Sequence, residues 1–198
     1  MTAALHMPSL LDEKHDWTVD DLASLPQDLR YELIDGRLIL PSPAFFHQDL
    51  CWELNGMLRP HCPPGDKPVT DLSLQVNHRN EPRPDVVVAR KAYGKRSPLP
   101  VDGALLVVEV VSPTSHFRDM QAKLKVYATY GVGTYLIVDP TFEGGVMLTE
   151  YRLGDNGQYD AITSTNKVFT TDVPYRIEID VPALTALRDE YDEAEDGR

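Results

Sequence analysis

Residues 104–115, ALLVVEVVSPTS, place a carboxylate inside an apolar run. A short run rich in valine and leucine predicts a strand that is buried on both faces of an α/β sheet. An ionised carboxylate in the middle of such a strand is strongly unfavourable unless a cation, a metal ion or several hydrogen-bond donors compensate its charge. Glu109 therefore needs a partner that another part of the chain supplies.

The segments around this strand predict an α/β (α+β) fold, a mixed sheet with flanking helices. Before it we expect a short helix at 18–25, a hairpin turning at Asp35-Gly36, a long helix in AFFHQDLCWELNGMLRPHCPPG, and strands in DLSLQV and PDVVVAR. After it we expect a helix in SHFRDMQAKLKVYATYGV, a buried strand in GTYLIVDP, and antiparallel strands in GVMLTEYRL, QYDAITS and YRIEIDV. A helix between two buried strands suggests a right-handed crossover.

Length and composition predict one domain, residues 1–198, without a membrane segment. The 198 residues, 42% of them hydrophobic, suffice for one substantial core, which we place at about residues 30–140. The net charge of -12 counts against a generally basic surface for nucleic acids, and the acidic run at about 189–198 is expected to fray. No stretch approaches the ~20 apolar residues of a membrane span. Cys51 and Cys62 lack metal-ligand spacing, so we expect reduced thiols in a cytoplasmic protein.

A second carboxylate is predicted to lie close to Glu109. Asp85 stands at the start of the valine-rich segment PDVVVAR, and its spacing from Glu109 fits two neighbouring strands of one sheet. Two carboxylates that meet at one point repel each other unless a divalent cation lies between them. Such a cation, with open positions for water, is a common means of hydrolysing phosphodiesters. The pair therefore predicts a Mg²⁺ site, which Mn²⁺ could also occupy.

Several segments, in order, resemble a known protein family. RPDVVVAR is followed by LLVVEVVSPTS and RDMQAKLKVYATYGVGTYLIVDP, and YELIDGRLILPSPAFFHQDL precedes them. From about Arg30 to Pro140 the chain resembles the Uma-two family of restriction endonucleases, a branch of the PD-(D/E)XK nuclease superfamily. The resemblance implies a restriction-endonuclease-like fold, metal-dependent cleavage of DNA, and a homodimer.

The resemblance also implies roles for the acidic residues. Asp85 and Glu109 match the two acids of the family motif and would be metal ligands. Glu32 in YELIDG matches a glutamate common in the family and could reach the metal or its water. His47 matches a family histidine whose role the sequence leaves open.

The lysine of the motif is displaced in this chain. It is expected two residues after the second acid, where Val111 stands. The family usually shows D-x-x-x-K-x-x-x-Y on the following helix, here Asp119, Lys123 and Tyr127, so Lys123 is our candidate for the displaced lysine. Lys125 is the weaker candidate because it lies about 160° further round the helix.

Each of these residues also has a structural explanation. Glu109 could face solvent at a sheet edge, Asp85 could cap a loop, Lys123 could pair with Asp119 on the helix surface, and Glu32 could be an exposed strand residue. His47 and Tyr127 could simply pack in or near the core. Basic residues between 79 and 96 could contact phosphates or be solvated: Arg79, Arg83, Arg90, Lys91, Lys95 and Arg96.

The alternative function belongs to another class. Val111 and the negative net charge fit a catalytically inactive nuclease-fold protein that acts as a binding or assembly module, because a fold can persist without its chemistry.

Overall fold

The computed structural model describes residues 14–26, 29–112 and 117–197, the side chains of 117–119 excepted. In this part of the chain the helices are α1 (Val19–Leu22), α2 (Phe45–Leu58), α3 (Phe117–Thr129) and α4 (Val181–Asp196). The strands are β1 (Glu32–Ile34), β2 (Arg37–Ile39), β3 (Asp66–Thr70), β4 (Leu74–Gln75), β5 (Val86–Arg90), β6 (Leu99–Pro100), β7 (Ala104–Val110), β8 (Thr134–Asp139), β9 (Met147–Leu153), β10 (Tyr159–Thr165), β11 (Phe169–Thr171) and β12 (Ile177–Ile179).

Six of the strands form one mixed sheet in the order β10-β9-β8-β7-β5-β3. β7 and β8 pair in parallel, and the other neighbours in this sheet pair antiparallel. The chain passes from β7 to β8 through α3, as the order of predicted elements suggested. The expected mixed sheet with flanking helices is confirmed.

β7 lies in the middle of the sheet because its side chains are apolar on both faces. Leu106, Val107 and Val108 are fully buried. On one face Leu106 and Val108 share a core cluster with Leu50 and Leu54 of α2. On the other face Val107 clusters with Tyr127 of α3. Each face of the strand is thus covered by a helix, as its continuous apolar sequence predicted.

The predicted hairpin is present and is tied to the segment that precedes β5. β1 and β2 pair antiparallel, and the turn places Asp35 at φ 49° and Gly36 at φ 78°, the left-handed conformation that a two-residue turn of this kind requires. The backbone of Leu33 exchanges hydrogen bonds with Glu81, at N···O distances of 3.1 and 2.8 Å. This exchange holds Glu32 beside the segment that leads into β5.

Two strand assignments differ from the sequence prediction. In DLSLQV only β4 is extended, and it pairs in parallel with β6 outside the main sheet. The edge position beside β5 is taken instead by β3, which was not predicted and which contains Pro68; proline is tolerated on an edge strand. YRIEIDV supplies β12, an antiparallel strand as predicted, which pairs with β11 in a separate ladder.

The acidic C-terminal run is helical as far as Asp196, and its fraying stays a prediction. α4 continues to Asp196, and Asp180 caps its start by accepting a hydrogen bond from the Ala183 backbone N–H at 3.1 Å. Val181 and Leu184 in its first turns are fully buried and anchor the helix on the core. At the other end of the chain, α1 is shorter than the predicted helix at 18–25. No helix among the described residues is long and apolar enough to cross a membrane.

Candidate active site

A pocket of ≈ 350 Å³ opens where β5 begins and β7 ends. It is lined by residues of the hairpin, α2, β7 and α3, by Thr70 at the end of β3, and by Asp85, which directly precedes β5. The sequence-predicted residues among them are Glu32, His47, Asp85, Glu109 and Lys123. The structure thus brings these five residues to one pocket.

Strand register places Asp85 opposite Glu109. Val86 of β5 pairs with Val108 of β7, so Asp85, one residue before β5, and Glu109 stand one position beyond this antiparallel pair. Asp85 Oδ2 accepts a hydrogen bond from the backbone N–H of Val110 at 2.7 Å. Asp85 therefore lies where β5 begins, and its carboxylate is held against β7.

Glu109 finds its partners within the protein. The Lys123 ammonium donates to Glu109 Oε2 at 2.9 Å, and the Tyr127 hydroxyl donates to Glu109 Oε1 at 2.8 Å. Lys123 Nζ also lies 2.8 Å from Glu32 Oε2 and 3.1 Å from Oε1. The burial of Glu109 therefore does not by itself require a metal ion, because a cation and a hydroxyl compensate its carboxylate.

Burial and mutual repulsion shift the titration of this cluster. Burial raises the pKa of Glu109 to about 8; the Lys123 charge opposes the rise, whereas Asp85 and Glu32 add to it. Burial also raises the pKa of Glu32, again opposed by Lys123. For Lys123 itself, burial acts to lower the pKa, but the three carboxylates outweigh it and the pKa is raised. Lys123 therefore stays protonated while Glu109 resists ionisation.

His47 contacts Asp85, the acid of the cluster that does not pair with Lys123. It lies in the first turns of α2, and its Nε2 is 3.0 Å from Asp85 Oδ1. The exposed fractions of the His47 and Asp85 side chains are 12% and 19%. Asp85 is therefore more accessible than Glu32 and Glu109, the two acids that contact Lys123. His47 and the Val110 amide together fix the orientation of the Asp85 carboxylate.

The charges of the pocket fit a cation. Its lining residues carry four carboxylates, those of Glu32, Asp71, Asp85 and Glu109, against the cations of Arg30, Arg83 and Lys123. Both arginines pair with Asp71, which leaves three carboxylates around one ammonium. Carboxylate oxygens are the donors that Mg²⁺ and Mn²⁺ prefer. The charge and the donor type of these lining residues thus suit a divalent cation.

The remaining sequence candidates lie elsewhere. Lys125 is exposed and does not line the pocket. Val111, where the motif lysine is expected, extends the pairing with β8 through its N–H, which donates to Val138 O at 2.8 Å. The lysine that reaches Glu109 is Lys123, from α3. The side chain of Asp119 lies outside the described residues. Of the basic residues between 79 and 96, Arg83 lines the pocket, whereas Arg79 pairs with Asp16.

Two pocket residues escaped the sequence analysis. Tyr127, which the sequence analysis placed on the same helix face as Lys123 and interpreted as a packing residue, contacts Glu109 without lining the pocket. Cys51 lines the pocket four residues after His47, a spacing that signals a shared helix face. Arg30 also lines the pocket, and nothing in its sequence context marks it.

Comparisons with known proteins identify the family and the fold. The family model Uma2, described as "Putative restriction endonuclease", matches residues 16–180. A crystal structure from Anabaena variabilis, described as a "putative nuclease belonging to DUF820", is similar with a TM-score of 0.66 at 15% identity, over 86% of this chain and 98% of that chain. This likeness shows the restriction-endonuclease-like nuclease fold. No curated protein matches the chain.

Proposed function

The chain belongs to the Uma2 family of restriction-endonuclease-like proteins, and we propose that it is a metal-dependent endonuclease that hydrolyses DNA phosphodiester bonds. The observation that carries the proposal is the ammonium of Lys123, buried within 2.9 Å of Glu109 and 2.8 Å of Glu32 in the pocket that Asp85 also lines. The lysine missing from the strand motif is replaced, in space, by one from α3.

Asp85 and Glu109 would hold Mg²⁺ or Mn²⁺, with Glu32 close enough to assist. A divalent cation bound there supplies a Lewis acid for the phosphoryl oxygen and lowers the pKa of bound water. The protein contributes the orientation of the ligands, since the Val110 amide and His47 fix Asp85 while Tyr127 and Lys123 fix Glu109.

Lys123 would stabilise negative charge that develops at phosphorus or orient the attacking water. Its raised pKa keeps the ammonium protonated, so it is always available as a cation and not as a base. Such a group acts strongly because it is nearly excluded from solvent and needs no reorganisation. We infer that Lys123 is a catalytic residue and Tyr127 a positioning residue for Glu109.

The same proposal includes a homodimer in the cytoplasm, because two paired sites suit the cutting of both strands of a duplex. Two free cysteines, Cys51 and Cys62, are in line with a reducing compartment. The mass in solution, measured by light scattering across a range of concentrations, tests the dimer.

Cleavage of supercoiled plasmid with Mg²⁺ or Mn²⁺ tests the activity. We expect the parent to nick or linearise the plasmid, and Asp85→Asn, Glu109→Gln and Lys123→Met each to lower the single-turnover rate by about 100-fold or more. Lys125→Met is the matched control and should cut like the parent. If the parent cuts and the three variants cut equally well, these residues are not the site.

A second candidate function is that of a non-catalytic binding or assembly module. It is favoured by the pairing of both Glu109 oxygens with groups of the protein itself. A parent that binds DNA or another macromolecule but never cleaves, with the metals supplied, would select this function.

A further inference from the structure

Three side chains of mixed ligand type converge on one wall of the pocket. His47, Cys51 and Asp85 each offer one ligand atom, and these atoms all lie within 4.8 Å of one another. His47 and Cys51 are four residues apart on α2, so both project from the same face of the helix. Asp85 meets them from the start of β5.

The donor set differs from the one proposed for catalysis. Asp85 and Glu109 offer hard oxygen ligands, whereas the imidazole and thiol beside Asp85 are softer donors, which favour Zn²⁺ over Mg²⁺. Tetrahedral Zn²⁺ with bonds of 2.0 to 2.3 Å places neighbouring ligand atoms about 3.3–3.8 Å apart. The 3.0 Å separation of His47 Nε2 from Asp85 Oδ1 is close to that spacing. Small side-chain adjustments would therefore complete three corners of a tetrahedron.

His47 has an unused ring nitrogen. Its Nδ1 is buried and has no hydrogen-bond partner among the described residues. Buried polar atoms are usually paired. Nε2, which faces Asp85, is the nitrogen placed to bind an ion, and a rotation of the ring would exchange the two nitrogens and bring Nδ1 to that position. All three residues line the pocket, which gives an ion a path from solvent and leaves the fourth corner open to water.

We propose that His47, Cys51 and Asp85 form a Zn²⁺ site that competes with the catalytic metal for Asp85, so that Zn²⁺ inhibits the nuclease. On binding, the Cys51 thiol releases its proton to solvent and its sulfur forms the bond to zinc. Asp85 cannot serve both ions fully, because its carboxylate is held in one orientation by the Val110 amide. The inhibition rests on the proposed nuclease function, whereas Zn²⁺ binding does not.

Binding is tested by titrating the full chain with Co²⁺, a spectroscopic substitute for Zn²⁺. We expect an ultraviolet charge-transfer band from thiolate to cobalt and visible bands of tetrahedral intensity, both abolished by added Zn²⁺. Cys51→Ser and, as a second variant in case serine disturbs the core, Cys51→Ala should lose the charge-transfer band. His47→Gln should weaken Zn²⁺ affinity by at least about tenfold. Loss of a residue that only holds a metal ligand in place already costs a metal site about that much.

The control is the other cysteine. Cys62 Sγ lies 3.0 Å from the Tyr175 hydroxyl and outside the pocket, so Cys62→Ser should keep the band unchanged. A parent without the charge-transfer band, or a band that survives in both Cys51 variants, overturns the site.

Inhibition is measured separately, as the ratio of plasmid cleavage with Mg²⁺ alone to cleavage with Mg²⁺ and Zn²⁺. For the parent and for Cys62→Ser we expect a ratio well above one. For a Cys51 variant, compared with its own rate without zinc, we expect inhibition by Zn²⁺ to be at least about tenfold weaker. Equal sensitivity in parent and Cys51 variants overturns the inhibition. A parent that shows the cobalt band but no cleavage without zinc refutes the nuclease function and leaves the zinc site standing.

Discussion

Lys123 and Glu109 are 14 positions apart in the chain, yet the ammonium nitrogen lies 2.9 Å from Glu109 Oε2 and both residues are more than nine-tenths buried. The parallel pairing of β7 and β8 brings this about, because it sends the chain through α3 across the face of β7 that carries Glu109. The site is therefore a product of the crossover. Its contribution to stability and its contribution to chemistry can be separated by single variants.

Replacing Lys123 by methionine should destabilise the protein by about 3–5 kcal/mol, because it leaves Glu109 and Glu32 buried without their cation. The double variant Lys123→Met/Glu109→Gln should recover much of this loss, since it also removes the unpaired charge, but should recover no cleavage. Urea unfolding gives the stabilities. Lys125→Met is the surface control, and a Lys123→Met protein as stable as the control would contradict a buried ion pair.

Tyr127→Phe should lower stability by about 1–3 kcal/mol, because it leaves a buried oxygen of Glu109 without its hydrogen-bond donor. Tyr135 provides a matched control: its ring lies 5.4 Å from that of Tyr127, and its buried hydroxyl has no partner among the described residues. Tyr135→Phe should be neutral or stabilising. Mg²⁺ titration of cleavage should show a higher half-saturating concentration for Tyr127→Phe alone, a shift that lost packing would not produce.

The stability of the metal-free protein should fall as the pH rises from 4.5 towards 8. Burial, with help from Asp85 and Glu32 and against Lys123, raises the pKa of Glu109 from 4.5 to about 8. The folded protein thus retains a proton that the unfolded chain has released, which gives a slope of at most about 1.4 kcal/mol per pH unit. The stabilisation is full below pH 4.5 and is lost as the pH passes the folded pKa.

Urea unfolding between pH 5 and 9 measures this slope. Glu109→Gln should flatten it, and Glu178→Gln, at an exposed position on β12, should not. An unchanged slope in Glu109→Gln would mean that another group carries the pH dependence.

Divalent metal should stabilise the parent against heat through Asp85. A ligand at 100 times its dissociation constant adds about 2.7 kcal/mol to folding. Asp85→Asn keeps the shape of the side chain but removes its charge, so we expect little change in the metal-free melting temperature and loss of most of the rise with Mn²⁺. Asp160→Asn, exposed on β10, should respond like the parent. An undiminished rise in Asp85→Asn would place the metal elsewhere.

Arg30 should contribute to DNA binding more than to catalysis. Its side chain lines the pocket, is 61% exposed, and pairs with Asp71. Arg30→Ala should raise KM with little change in kcat and make the slope of log affinity against log salt shallower by about 0.9, the value for one phosphate contact. Arg96→Ala, exposed and outside the pocket, is the control. Equal effects of the two variants would indicate a diffuse electrostatic contribution.

The sequence was most informative at positions where the residue type is unusual for its surroundings. Glu109 stood out because a carboxylate inside a valine-rich strand demands compensation. Lys123 stood out because the family that the chain resembles carries a lysine at this helix position, which offered a replacement for the lysine absent at Val111. The same logic predicted the hairpin at Asp35-Gly36 and the central position of β7. Each of these features is encoded within a few neighbouring residues.

What the sequence did not predict depends on contacts between distant segments. The pairing of His47 with Asp85 joins α2 to the start of β5, and the Tyr127 hydroxyl reaches Glu109 only because α3 packs on β7. The edge strand β3 carries Pro68 and little apolar sequence, so its extended structure comes from pairing with β5 rather than from propensity. The acidic half of α4 is helical because its buried first turns hold it in place.

The position of a bound metal tests the central claim most directly. Crystals grown with Mn²⁺ and measured at a wavelength where manganese scatters anomalously should show a peak bonded to carboxylate oxygens of Asp85 and Glu109, absent in crystals of Asp85→Asn. A peak that touches neither residue, or none at saturating Mn²⁺, would contradict the assignment of this pocket as a metal-dependent nuclease centre.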